Sequence, residues 1–184
     1  MTGAGQPQPR AGAPRRLIGL VALLLFLGMV ILLQWRIAPL SPGRFLPQAA
    51  FTGYSTADLW AFAQGVGQDP NAVSLYTSLL GWVDPAFIVL FSLWVALTLR
   101  PRMLGIVAAV VFALLDMSEN IGLLYTLMSF RWDYIFLEFK DMPVPVVSGD
   151  MTFLSLLTSA KLTLATLLVA VIAVQAIAGR KAKT

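Results

Sequence analysis

The sequence predicts an all-α, polytopic membrane protein: a four-transmembrane-helix bundle with a short amphipathic helix on its outer side. Three observations predict it. Hydrophobic residues make up 58% of the 184-residue chain and charged residues 12%, against roughly 45–50% and about 25% in a soluble domain. The apolar residues gather in four runs, each long enough to cross a hydrocarbon core about 30 Å thick at about 1.5 Å of helical rise per residue. The basic residues, finally, gather at the ends of those runs and not on one face, with Lys161 inside the fourth.

In chain order, residues 1–16 are rich in Gly, Pro, Gln and Ala and read as a disordered cytoplasmic tail. Span one covers about residues 17–35 and contains the uncharged stretch from Leu17 to Leu33. Arg15-Arg16 ahead of it resembles the start of a secretory or twin-arginine signal. A 17-residue core exceeds the usual 7–15 of such signals, however, and no small-x-small cleavage site follows before Pro39 and Pro42, so the segment is expected to stay. The long connection that follows contains Ser55-Thr56-Ala57-Asp58, a capping-box pattern. Leu59, Phe62, Ala63 and Val66 then repeat at helical spacing, which makes a short amphipathic helix ending near Gly65 to Gly67. It is expected to lie along the membrane surface or over the bundle. Asp69-Pro70 reads as an N-cap followed by proline at the first helical position.

Span two, about 73–99, carries one charge, Asp84, and Pro85 beside it removes a backbone donor, so the helix is free to bend there. Arg100-Pro101-Arg102 leaves room only for an antiparallel hairpin into span three, about 103–130, which carries Asp116 and Glu119. Between 131 and 151, Trp132, Tyr134, Phe136 and Phe139 alternate with charged residues before Pro143 and Pro145, a pattern open to a hairpin-like cover or a short helix. Span four, about 152–178, carries only Lys161, and residues 179–184 form a basic cytoplasmic tail.

Arg10, Arg15 and Arg16, then Arg100 and Arg102, then Arg180, Lys181 and Lys183 occupy alternate connections, so the positive-inside rule puts both termini and the short turn in the cytoplasm of a multi-pass protein of the cell inner membrane. Asp58, Asp69, Asp133, Glu138, Asp141 and Asp150 all fall on the other side. Trp35, Trp60, Trp82, Trp132 and the four tyrosines, Tyr54, Tyr76, Tyr125 and Tyr134, map to that outer half as a one-sided aromatic belt. The net charge of +4 is therefore topological and argues for no nucleic-acid partner. With no Cys and no His, disulfides, thiol nucleophiles, imidazole-bound metals and Ser-His relays are excluded. Neither a cofactor nor a metal is expected, since a lysine beside oxygen ligands opposes a cation.

The informative residues are those that lipid should reject. Counted from the cytoplasmic arginines at about 1.5 Å per residue, Asp84 lies roughly 24 Å deep, Asp116 about 21 Å, Glu119 about 26 Å and Lys161 about 28 Å. Three helices thus bring their ionisable groups to one level in the outer third of the bilayer. Because an unpaired charge at the bilayer centre costs about 2.5–3.5 kcal/mol on insertion scales, such groups turn inward and pair. Asp116, Glu119 and Asn120 stand at i, i+3 and i+4, on one face of span three. Ser155, Thr158, Ser159 and Thr163 make span four polar around Lys161. The expected polar cluster is Asp84, Asp116, Glu119, Asn120, Ser155, Thr158 and Lys161. Two plainer readings stand beside it: Lys161 snorkels to headgroups, and Asp84 merely hydrates a helix end.

Asp116-Met117-Ser118-Glu119-Asn120 resembles the Asp-x-x-Glu-Asn signature of a set of small four-span bacterial membrane proteins, in which an Asp on the second span and a Lys on the fourth recur in similar order. Asp84 and Lys161 hold those positions, and the likeness runs from about Tyr54 to Ala178. It implies the architecture and no activity. A looser, architectural likeness joins the chain to the four-helix family of sterol isomerases and the sigma-2 receptor, whose isomerases use a His that is missing here.

The leading expectation is a non-enzymatic bundle whose buried cluster supports an interaction, as a subunit beside other membrane proteins, a homo-oligomer or a binder of a small apolar ligand, with membrane lipids as its surroundings. Gly105, Ala109 and Ala113 on span three, and Ala165, Ala170, Ala173 and Ala176 on span four, favour close helix approach. One rival is a membrane enzyme acting on a lipid or other apolar substrate, with Asp84, Asp116, Glu119 and Lys161 as candidate catalytic residues. Another is proton or cation passage, against which the inner halves of the spans offer no ionisable residue.

Overall fold

The computed structural model describes residues 13–137 and 152–181, with side chains over 14–129 and 152–178. All regular structure in it is helical: α1 (Ala13–Leu32), α2 (Thr56–Gly67), α3 (Pro70–Ser78), α4 (Asp84–Thr98), α5 (Arg102–Leu137) and α6 (Thr152–Lys181), joined by short π and 3-10 turns. Four stretches are long and apolar enough to cross a membrane: Pro14–Leu40, Pro70–Thr98, Arg102–Ser129 and Thr152–Ala178. The apolar residues sit on the wrong side for water. Leu24, Ile31, Val107, Leu114, Ile121 and Val174 are exposed, while Asp84, Asp116, Glu119, Asn120 and Lys161 are buried. A soluble domain sorts these classes the other way, so this distribution is that of a polytopic membrane protein.

The spans pack in chain order. The first lies against the second, the second along the third and the third against the fourth, with Gly105 letting α5 close on the backbone of Val95 and Leu99. The hairpin turn is fastened to the fourth span by two bonds: the Arg100 amide donates to Gln175 Oε1 at 3.1 Å, and Gln175 Nε2 donates to the Arg100 carbonyl at 2.8 Å. Small residues do not act alike on the two helices. Gly105 and Ala109 are buried, whereas Ala170, Ala173 and Ala176 are exposed and face outward; of the four alanines expected to pack on α6, Ala165 alone is half-buried and packs against the core.

At the opposite end, the 34–70 connection forms a cap. Ser55 Oγ accepts from the Asp58 amide and the Asp58 carboxylate accepts from the Ser55 amide, a reciprocal box that starts α2. Leu59, Phe62, Ala63 and Val66 are its buried residues, and they join Tyr76, Leu123 and Leu127 in one apolar core. The helix therefore lies over the bundle. Gly65 makes this possible, because a Cβ there would run into the Leu40 carbonyl. Asp69 caps α3 by accepting from the Asn71 and Ala72 amides, with Pro70 at the first position.

The second span is continuous from α3 into α4 through a π turn at Leu79–Val83. Its buried residues advance by fours through Tyr76, Leu80, Asp84 and Ile88, faster than 3.6 residues per turn allows on one face. The wider turn absorbs the excess, with the Asp84 amide bonding back to the Leu79 carbonyl, and keeps Asp84 aimed inward. The α5 helix runs on through Leu137, so the first part of the third connection continues the span. The side chains of Trp132 and Tyr134, the segment 138–151 and most of both tails lie outside the described residues. The aromatic belt is only partial: Trp35, Trp82 and Tyr125 are exposed, but Tyr76 is fully buried and belongs to the core.

Candidate functional site

The four ionisable side chains from three spans meet. Lys161 Nζ lies 2.9 Å from Asp116 Oδ1 and also pairs with Glu119 Oε2. Thr158 donates its hydroxyl to Glu119 Oε1 from one turn earlier on α6. Asn120 Nδ2 donates to Asp84 Oδ2 at 2.6 Å, which ties the second span to the third. Asp84 is 4% exposed, Asp116 1%, Glu119 0% and Lys161 7%. Those values exclude the two plainer readings: a snorkelling lysine or a hydrated aspartate would be wet. The ion pairs of Lys161 and the Asn120–Asp84 bond depend on the 3.6 period, which stacks Asp116, Glu119 and Asn120 on the inner face of α5.

The hydroxyls of the fourth span divide. Thr158 joins the ion pair, but Ser155 Oγ instead accepts from the Tyr54 amide at 2.7 Å, while Thr163 is exposed and bonds to the Ser159 carbonyl. Ser155 thus fastens the capping segment to α6 and is no part of the charged group. The approach is close: Gly53 has φ +82, and a Cβ on it would stand 2.5 Å from Ser155 Oγ, so only glycine fits there. Tyr54 Oη reaches Thr158 Oγ1 at 3.4 Å. Since the Thr158 proton goes to Glu119, Tyr54 is the donor in that contact. Burial pushes the Tyr54 hydroxyl up to about 12, which keeps it protonated for that role. Tyr54 and Gln48, which donates to Tyr76 Oη at 2.7 Å, were not legible as site residues, because nothing in a loop's spacing tells which helix it folds onto.

A cavity of about 760 Å³ lies against this cluster, within the roughly 300–1,000 Å³ of small-molecule sites. The first and fourth spans form its sides, with Phe26 and Leu23 on one and Ala165 and Val169 on the other, and Asp84, Asp116 and Lys161 line it at the polar level. Its deep wall is an aromatic series. Phe26 and Phe87 have ring centroids 5.6 Å apart, Phe87 and Phe91 5.5 Å, and Phe91 and Phe112 4.7 Å. Leu23, Phe26 and Val169 are exposed at its edge, so the cleft opens through the flank of the bundle. Span one, which carries no polar residue of the cluster, therefore supplies one side of it. Among the described residues no three acidic side chains converge as metal ligands.

No known protein family, curated protein or solved structure matches the chain. What the structure itself shows is four long apolar helices able to cross a membrane, with a buried polar cluster among them.

Proposed function

We propose that this protein is a non-enzymatic membrane receptor or carrier for a small amphipathic molecule, which enters the cleft between the first and fourth spans with its polar end toward Asp84, Asp116 and Lys161. One observation carries the reading: the buried ionic cluster forms part of the wall of a 760 Å³ cavity. A cluster serving only to clamp helices needs no space beside it, and interiors normally close such space. The experiment is to obstruct the cavity from the rim. Ala165→Trp places an indole where Ala165 lines it, on a half-buried position that tolerates bulk. Small molecules extracted from the purified full chain are compared by mass spectrometry with those from the variant. Loss of a specific species with an unchanged melting temperature supports the reading; identical extracts overturn it.

The finer topology belongs to the same proposal. Both termini and the Arg100 to Arg102 turn lie in the cytoplasm of a bacterial inner membrane, and the capping helix α2 lies outside, as the basic ends of the spans suggest. Because the chain has no Cys, single cysteines introduced at Ser74 and Thr184 report sidedness without background. Labelling of Ser74→Cys from the outside and of Thr184→Cys only after permeabilisation is the expected pattern, and the reverse pattern overturns the orientation.

A further inference from the structure

The wall of the cavity is rich in acceptors and poor in donors. Three acids, Asp84, Asp116 and Glu119, stand around one ammonium, and Lys161 pairs with two of them, Asp116 and Glu119. Asp84 lines the cavity, and among the described residues only the Asn120 amide donates to it. The other atom of that amide, Asn120 Oδ1, is buried without a donor. A buried acceptor left unpaired is costly, and a charged one more so. Below Asp84 the cavity is walled by Phe87, Phe91, Phe112 and Trp94, whose ring faces carry negative potential.

We infer that the amphipathic ligand carries a protonated amine, an alkylammonium head that pairs with Asp84 at the aromatic wall while its apolar body lies along the cleft toward Trp94. This inference rests on the binding role proposed above and gives that site its ligand class. Anionic amphiphiles fit badly, because the lysine they would seek is held by two acids and the cavity offers them acceptors where they need donors. A neutral hydroxyl head supplies one donor but leaves the excess negative charge standing. An ammonium supplies donors and charge together, and the aromatic faces beside Asp84 add cation–π attraction. The same chemistry comes from a free amphiphilic amine or from the ethanolamine head of a lipid.

The test uses the full chain in detergent micelles and a dodecylammonium probe brominated at its far end, whose bromine quenches Trp94. Quenching by this probe is compared with that by the matching bromododecanol and bromododecanoate, at pH 7 and in the wild type, Asp84→Asn, Ala165→Trp and Trp94→Phe. The expected result is binding of the ammonium at least about tenfold tighter than the alcohol, about 1.4 kcal/mol, with the carboxylate weakest. Asp84→Asn, which keeps shape and removes charge, abolishes that preference and leaves alcohol binding in place. Trp94→Phe loses the cavity signal. Equal affinity for ammonium and alcohol, or a preference that survives Asp84→Asn, overturns the ligand class while leaving the cavity a binding site. Quenching that is the same in Ala165→Trp as in the wild type for every probe overturns the binding role itself. Displacement by lysophosphatidylethanolamine assigns the ammonium to a lipid head, and displacement by dodecylamine alone assigns it to a free amine; either supports the inference.

Discussion

Replacing Lys161 by Met strands two acids in oil. In the wild type, its Nζ holds Asp116 at 2.9 Å and pairs with Glu119, both carboxylates being at most 2% exposed. Removing one member of a buried ion pair costs about 3–5 kcal/mol, because the partner stays desolvated and unpaired. Here one substitution frees two carboxylates, so the upper part of that range applies. For a chain of this size each kcal/mol moves the melting temperature by about 2–4 °C, and Lys161→Met should lower it by about 8–20 °C. The single neutralisations Asp116→Asn and Glu119→Gln leave Lys161 one carboxylate each and should cost clearly less. The triple variant Lys161→Met/Asp116→Asn/Glu119→Gln removes all three charges and should recover most of the loss, since a neutral replacement of a whole buried pair is often nearly free. Thermal melts of the wild type and the four variants in one detergent, followed by circular dichroism, make the comparison. A Lys161→Met protein that melts with the wild type, or a triple variant that melts lower still, refutes the account of Lys161 as the cation of the cluster.

Three further outcomes are expected. Gly65→Ala should destabilise by about 1–3 kcal/mol, the range for overpacking, because its Cβ meets the rigid Leu40 carbonyl, whereas Gly122→Ala meets only the movable Leu154 side chain; equal melting temperatures for the two variants would contradict this. The Ser55 hydroxyl and amide hold the exposed Asp58 carboxyl below its ordinary value. The capping box therefore adds stability above the unfolded carboxylate range and loses it as pH falls through the lowered value, so hydrogen exchange at the start of α2 should quicken on acidification in the wild type but stay flat in Asp58→Asn. Tyr54, raised to about 12 by burial, contributes stability that is complete below the unfolded tyrosine value of about 10 and vanishes as pH rises through 12; ultraviolet titration should show one fewer late-ionising tyrosine in Gly53→Leu, where the loop cannot seat on Ser155, than in the wild type.

The spans, the capping box of Ser55 and Asp58, the buried face of α2 and the inward turn of Asp116, Glu119 and Asn120 were all legible in the sequence. Each follows from local physics: run length against bilayer thickness, hydrogen-bond reach over three residues, and a helical period that forces neighbours four apart onto one side. Coincident depth extended this to the meeting of Asp84 with the acids of α5 and with Lys161, because lipid penalises every alternative. The division of labour between Ser155 and Thr158 was not legible, since both are hydroxyls within two turns of Lys161, and only the path of the 45–54 segment decides that Ser155 receives the Tyr54 amide. Nor was the π turn before Asp84, which answers a mismatch between helical period and packing that appears only once the neighbours are in place.

What the chain determined alone is which residues oil rejects and at what level they lie, because transfer free energy belongs to the side chain and helical rise to the backbone. Only the tertiary structure decided that the first and fourth spans stand apart and leave a cleft beside the charges. A Leu or Phe facing acyl chains and a Leu or Phe facing a cavity bury the same apolar surface at the same local spacing, so the difference lies entirely in whether a neighbouring helix fills the space.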